Sequence, residues 1–424
     1  MILKRNQLLG KRAGFVLVLV CLATVAIMGV LALSLDGGSL MTERRNTQAA
    51  ADAAALSAAC ELYDNYWTQF GDDPGGTAKA SAIATAKANG YVDNDDTIKV
   101  IVNIPPKSGR YNGIRGYVEV IVESNQSRGF SRLFGSGANR ASARAVAIGQ
   151  PVAADVGILV LHPTMRSAFN AQGGGASIVK GTPIIVNSTH AEAAIAGGGG
   201  SVEADKFVIT GGYDTSGGGS FIGPIYTGRA PTPDPLSDIP PPDPKQLPNG
   251  SNKKIQATSG DTYLTPGVYK GGINVSGTGN LKLAPGIYYM DNGGFSFSGQ
   301  GSLYGENVMI YTNPGNGNSD AISVTGQGSM ILSGPKEGRY KGITFWQRRD
   351  STVTGHVEGT GGETSITGTF YFAGALLDIK GNGGVANIGS QYISDQLNLG
   401  GNGGVHIDWG PDKVAPKRSI FLVE

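Results

Sequence analysis

Hydrophobic positions follow three patterns along the chain. The first is an unbroken run: "AGFVLVLVCLATVAIMGVLALSL", Ala13 to Leu35, holds 23 residues without a charged side chain. As a helix at about 1.5 Å per residue it reaches about 35 Å, enough to cross a hydrocarbon core of ~30 Å. Eight of the twelve residues from Gln48 to Ala59 are alanine, and Glu43 to Ala59 contains no Gly or Pro. Alanine is the strongest helix former. A transmembrane helix at 13–35 is therefore expected to continue as an alanine-rich helical stalk over 36–62, bent first at Asp36, Gly37 and Gly38. Small side chains let another helix approach closely, which favours a stalk packed against neighbouring copies or partners over a bare spacer.

The second pattern has period two. Ile98, Val100, Val102 and Ile104 share one face of "TIKVIVNI", and Val118, Val120 and Val122 one face of "YVEVIVE". Such alternation predicts a long-loop hairpin across "PPKSGRYNG". "TAKASAIATAKANG", from Thr77, reads as a helix stopped at Gly90. "FSRLF" reads as one helical turn, and "RASARAVAI", Arg140 to Ile148, as a third strand. The sum over 63–150 is a small α+β domain, pilin-like in layout.

The third pattern is a recurring phrase, a glycine-rich turn followed by a short apolar strand. It reads "SGTGNLKL" at Ser276, "SGQGSLYG" at Ser298, "TGQGSMIL" at Thr325, "KGNGGVANI" at Lys380 and "GGNGGVHI" at Gly400, with earlier forms at Gly173 and Gly197. "PGVY" at Pro266 returns as "PGIY" at Pro285. This spacing, with no helical periodicity between phrases, predicts stacked β-coils: a Gly-rich β region over 151–229 and a β-solenoid over 251–424. Each coil leaves an apolar row that only stacking buries. A β-sandwich is the alternative, disfavoured because its longer strands and tight hairpin signals are missing. Between the two parts, 230–250 holds eight prolines from Pro231 to Pro248. It is expected as extended polyproline-like chain, linking two subdomains or lying along the solenoid face.

Charge orients the apolar run. Lys4, Arg5, Lys11 and Arg12 lie in the basic segment 1–12, which carries no acidic residue. The excess predicts a cytoplasmic N-terminus and an outward C-terminal region, hence a single-pass inner-membrane protein. A cleaved secretory signal competes, with "ALS" at Ala32 to Ser34 as its processing site, although such apolar cores are usually shorter. Prepilin-type cleavage between Gly14 and Phe15 is a third reading. It is weakened by Leu19, which stands where type IV prepilins usually carry glutamate. Overall charge is +1, from 34 basic and 33 acidic residues, so the chain lacks the basic field of a nucleic-acid binder. Cys21 and Cys60 would lie roughly 58 Å apart on one helix, beyond bridging distance. Both read as helix-packing residues, with an intermolecular Cys60 disulfide as the alternative.

The apolar helix, the Asp36-Gly37 pair at its outer end, Arg44 and Arg45, and "QAAADAAALSAA" together resemble the N-terminus of TadG-like proteins of the Flp (tight adherence) pilus machinery. The likeness covers about residues 10–60. It continues in "YVEVIVESNQSRGFSRLFGSGANRASARAVA", Tyr117 to Ala147, which is similar to the end of the small domain in TadE-like and TadG-like chains. The resemblance implies a bacterial envelope protein working with a pilus or secretion apparatus. Some TadG-like proteins also carry a von Willebrand factor A-type domain with an Asp-x-Ser-x-Ser metal motif after an apolar strand. Here "DVGILVLHPTMRSA" supplies the strand, but His162, Thr164 and Arg166 follow it, so that site and domain are not expected.

Catalytic constellations are sparse. Asp350, Glu358, Glu363, Asp378, Asp395 and Asp408 form no adjacent carboxylate pair of the kind glycoside cleavage needs. His162, His190, His356 and His406 have no partner at metal-ligand spacing. His406 and Asp408 flank Ile407 and read as outward surface. "DNDDT" from Asp93 lacks most ligands of a calcium loop and reads as a solvated turn. "GGGG" at Gly197 has no following Gly-Lys-Ser/Thr and is no phosphate loop. The expectation is a non-enzymatic envelope protein of Flp/Tad-type pilus assembly or surface adhesion, with no catalytic residue, cofactor or metal. Its partners would be the membrane, pilus or secretion components in a homo- or hetero-oligomer, and a surface ligand or polysaccharide. The alternatives are a pilus-independent β-helix adhesin and a polysaccharide-active β-helix enzyme.

Overall fold

The computed structural model describes residues 10–94, 96–129, 132, 137–315, 321–360 and 364–424. The chain forms two compact units, 1–151 with 419–424, and 152–418.

In the first unit, helix α1 runs unbroken from Gly10 to Asp64. The helix does not break at Asp36–Gly38, where a bend was expected. A Cβ at Gly37 or Gly38 would meet nothing within 4 Å, so no neighbour forces a turn there. Two glycines cost about 1 kcal/mol each against alanine, less than the main-chain bonds a break would forfeit. The alanine-rich half is not a free stalk. Ala50, Ala51, Ala54, Ala55, Ala58, Ala59 and Leu62 form a buried stripe at spacings of three and four residues. The stripe packs on Ala78, Ala82 and Ala86 of helix α2 (Thr77–Ala88), and on Val118, Val120, Val122, Ala143, Ala145 and Ala147 of a sheet. The partner expected from neighbouring copies is thus supplied within the unit. Approach is close enough that a Cβ on Gly149 would lie 2.1 Å from the Ala59 carbonyl oxygen.

That sheet contains β1 (Ile98–Asn103), β2 (Tyr117–Ser127) and β3 (Ala138–Ala153). The pairing is antiparallel, with Val100 opposite Val122 and Val120 opposite Ala145. A fourth strand, the C-terminal Pro416–Leu422, lies beside β3, and just beyond it Val146 and Val423 exchange backbone bonds with Glu424 and Val146. The chain's last residues, expected in the solenoid, therefore complete this sheet. The turn expected at "FSRLF" lies mostly outside the described residues.

Glu119 sits in the unit at 0% exposure. Burial alone would raise its pKa. Hydrogen bonds from the Ser108 hydroxyl, Arg144 Nε (2.6 Å), the Lys107 backbone N–H (3.1 Å) and Asn103 Nδ2 (2.7 Å) outweigh it and hold the carboxyl at about 2. Arg144 also pairs with Glu424. Because the folded value lies below the usual 4.5, this stabilisation is present above about pH 4.5 and is lost as pH falls toward 2. Glu119→Gln should cost on the order of 3 kcal/mol at neutral pH and flatten the acid limb of a denaturation profile. An unchanged profile would show that the cluster adds nothing to stability.

The second unit is a parallel β-solenoid. Apart from an isolated Gly197–Gly218 bridge, its strand pairings among the described residues are all parallel, which excludes the β-sandwich. A typical coil has three strands, as in Gly286–Asp291, Phe295–Gly299 and Leu303–Gly305. Each strand pairs with its counterpart one coil away, so three faces enclose one core. Tyr288, Ile310, Phe345, Phe370, Tyr392 and Ile158 line the first face from within, Phe295 and Ile322 the second, and Leu281, Leu303 and Met330 the third. The glycine phrases make corners. A Cβ on Gly301 would stand 1.9 Å from the Gly279 carbonyl oxygen, and one on Gly328 1.9 Å from that of Gly301. Only glycine lets the corners stack at strand spacing.

Coil order in space differs from order in sequence. The coils 249–264, 267–283, 286–305, 308–332, 343–366, 369–388 and 391–407 stack consecutively. The last of them pairs with coil 158–179, through Tyr392 beside Ile158, Leu397 beside Phe169 and Val405 beside Ser177. Coils 184–204 and 207–222 follow, and Ile225–Tyr226 begins a further turn. The segment 227–248 must therefore run from one end of the stack back to the other.

It does so as a strap along the first face. The outward row of that face is apolar: Ile185, Leu159, Ile393, Tyr371, Trp346, Tyr311, Tyr289 and Val268 stand in register on successive coils. Leu236 and Ile239 of the strap are buried against this row. The proline-rich stretch lies along the solenoid face, the second of the two expectations, but it is not extended throughout: residues 235–239 turn, with the Ile239 N–H donating to the Leu236 carbonyl, and Pro244–Gln246 form a 3-10 helix capped by Asp243. Arg349 fastens it, donating to the carbonyls of Leu236 (2.6 Å) and Ile239 (2.7 Å) while lying over the rings of Trp346 and Tyr371. The Tyr371 hydroxyl donates to Asp234 (2.6 Å), and Asn187 exchanges two 2.8 Å bonds with Thr232. Arg349→Ala removes two charge-assisted bonds to the strap, a third to the Tyr371 hydroxyl (2.7 Å) and two ring contacts, a loss of about 2–4 kcal/mol locally. Limited tryptic cleavage at Lys245 should then accelerate while the coils stay intact. Unchanged cleavage would mean that the apolar row alone holds the strap.

Candidate membrane anchor and polar face of the solenoid

The N-terminal part of α1 presents many apolar side chains that no described residue covers. Val16, Leu17, Leu22 and Val30 are 58%, 70%, 66% and 64% exposed. Water is a poor solvent for such a surface, whereas a bilayer is a good one. Within a helix every main-chain polar group beyond the first turn is satisfied internally, as a hydrocarbon environment requires. The Thr24 hydroxyl follows the same logic and donates to the Val20 carbonyl at 2.8 Å. Among the described residues, this is the one helix long and apolar enough to cross a membrane.

Lys4 and Arg5 lie outside the described residues. Lys11, Arg12, Gly14 and Phe15 fall within helix α1, but their side chains are likewise outside the description. Cys21 is exposed and Cys60 half-buried, both as free thiols.

On the solenoid, the second face brings together residues that sequence inspection left scattered. His356 and Asp378 stand side by side on adjacent coils, as do Glu358 and Lys380. His356 Nδ1 lies 3.3 Å from Asp378 Oδ2, and Lys380 Nζ lies 3.0 Å from Asp378 and 3.4 Å from Glu358. Burial would raise the Asp378 pKa, but the bonds from His356 and Lys380 lower it. The signal was present in the spacing, because 22 residues separate both pairs, the step between the two strands of this face that carry them. It is legible only once the coil period is known at that point. Chemically the group is a set of mutually paired charged side chains on one strand face.

The other titratable candidates stay apart. His162 Nδ1 accepts from the Met165 backbone N–H (3.0 Å), and His190 Nδ1 from that of Glu192 (2.9 Å). His406 contacts Asn387 at 2.9 Å, whereas Asp408 pairs with Lys413. Asp350 pairs with Arg348, Gln396 donates to Asp395, and Glu363 lies outside the described residues. At the acidic turn, Asn94 Oδ1 accepts from the backbone of Thr97 and Ile98 (both 2.9 Å). Among the described residues no group of three His, Cys, Asp or Glu side chains is arranged to hold a metal.

Residues 14–61 match the family model described as "Putative Flp pilus-assembly TadE/G-like". No curated protein and no solved structure matches the chain. The matched stretch holds the exposed apolar segment and most of the buried alanine stripe, so both halves of α1 fall within the match. The likeness at Tyr117 to Ala147 lies beyond the matched residues. Arginine at both Leu19 and Leu22 should add about 5–7 kcal/mol to the insertion cost and release the protein from carbonate-washed membranes. Full retention would mean that something other than this segment holds it.

Proposed function

We propose that the chain is a non-enzymatic, single-pass bacterial envelope protein of an Flp/Tad-type pilus-assembly or surface-adhesion machinery. Its N-terminus lies in the cytoplasm, and its α+β unit and solenoid lie outside the cytoplasmic membrane. The observation that carries this reading is the composition of α1. One unbroken helix is apolar over 16–35, with side chains such as Leu17, Leu22 and Val30 exposed, and then becomes the core helix of a folded domain within the TadE/G-like match. Such a helix anchors the domain directly at the bilayer surface. The basic residues Lys4, Arg5, Lys11 and Arg12 support the orientation. A display or assembly role is supported by the long strand faces of the solenoid, on which the titratable side chains at 356–380 are paired with one another.

The test is the intact mass and N-terminal sequence of the protein from washed membranes, with protease accessibility of the solenoid. The expected result is a chain starting at Met1 in the inner membrane, its solenoid digested only after the outer membrane is opened. A start at Phe15 would make the protein a processed pilus subunit. A soluble chain starting near Leu35 would overturn the anchored reading in favour of a secreted adhesin.

A further inference from the structure

The solenoid core is open at both ends of the stack. Among the described residues, the hydrophobics that pack on this core yet stay half-buried are Phe221, Ile225, Ile255, Ala257 and Leu264. All of them belong to the coil at one end, 249–264, or to the turns at the other, 207–226. Their counterparts one coil inward, Val202, Phe207, Ile273, Val275 and Leu283, are buried. The ends are also strand edges. Ser220–Ile222 and Asp261–Leu264 are the outermost strands of the third-face sheet, so the outer side of each presents main-chain N–H and C=O groups that no strand pairs. Repeat stacks close such ends with polar capping units. Here the ends carry Tyr213, Ile222 and Tyr263, at 44%, 50% and 66% exposure.

The two ends match each other. Their coils wind in one sense, so a second copy placed on the 207–226 end by its own 249–264 end meets it with the parallel pairing used between coils inside the unit. Two like ends would meet antiparallel. Side-chain parity agrees as well. On the second face Tyr213 and Ile255 both hold inner positions, and Asp214 and Gln256 outer ones. On the third face Ile222 and Tyr263 close the two ends of one outer row. Exposed Lys254, two residues before Gln256, then lies diagonally across from Asp214, opposite in charge. A joint of this kind already exists in the molecule, because coils 391–407 and 158–179 stack without chain continuity.

We infer that the solenoid binds a second copy of this chain end to end, the 249–264 coil of one copy stacking on the 207–226 turns of the next. The contact is head-to-tail, so it leaves a free end on each side and builds a linear array. It covers Tyr213 with Ile255 and sets Ile222 beside Tyr263, while the strand edges gain their missing partners. On the first face Ile225–Tyr226 and Asn249–Ser251 claim the same place in a joined stack, and the bulged pairing of Asn249–Ser251 is the one that gives way. The joint does not depend on the anchored reading. A membrane-bound chain whose ends fail to join sinks the joint alone.

The experiment uses the full chain in detergent micelles, prepared as Ile222→Cys and, separately, as Tyr263→Cys. Both positions are exposed, so each variant should unfold at the parent temperature. Facing Cα atoms on neighbouring strands stand about 5 Å apart, within disulfide reach. Mild oxidation of the mixed variants should give a dimer linked 222 to 263, several-fold above either variant alone and above the parent, which sets the background from Cys21 and Cys60. Lys254→Glu in the Tyr263→Cys chain should lower that yield at low salt, and Asp214→Lys in the Ile222→Cys chain should restore it. Absence of the 222–263 link, or links of 222 to 222 and 263 to 263 forming as readily, would overturn the inference. Charge variants that leave the yield untouched would show the link to be random collision and overturn it too.

Discussion

The second unit depends on one junction, that between coil 391–407 and coil 158–179. A single β-coil cannot bury its own apolar row. Tyr392 on Ile158 and Leu397 on Phe169 close the core between the two series of coils. The buried Gln391 amide secures it, donating to the Val156 carbonyl at 2.7 Å. Because these coils are not consecutive in the chain, the junction is non-covalent, and the strap returns the chain to the far end of the stack. The apolar row under the strap follows from the same arrangement. Face-outward aromatics such as Trp346 and Tyr371 are tolerable only because Leu236, Ile239 and Arg349 cover them.

The first unit meets a different constraint, since one helix must satisfy two solvents. Its N-terminal part carries Leu, Val and Ile for a hydrocarbon surround, and its C-terminal part carries alanine for close protein contact. Alanine buries little area per residue, so tight approach compensates for size, as the Gly149–Ala59 contact shows. The Glu119 cluster sits on the same sheet and links β2 and β3 to the last residue through Arg144.

Much of this was readable in residues. The period-two strands at Ile98 and Tyr117, the helix at Thr77 and the glycine phrases each carry their periodicity locally. The His356–Asp378 and Glu358–Lys380 contacts were not readable in the same way, because a contact between coils needs a coil length that varies along the chain. Arg349 gave no sequence signal either. It stands in "QRRD" like any surface arginine, and its partners Leu236 and Ile239 lie more than a hundred residues earlier.

By itself the sequence determined the membrane-length apolar helix, the α+β hairpin unit and the coiled β architecture. These are set by composition and periodicity within short windows, where hydrophobic pattern and backbone propensity act. Only the tertiary structure decided that the alanine stripe packs within its own unit, and that the C-terminal strand joins β3. It also decided that the coils of 158–226 dock beyond the last coil of 249–407. Each is a pairing of surfaces far apart in the chain, settled by which apolar faces remain open after local structure has formed.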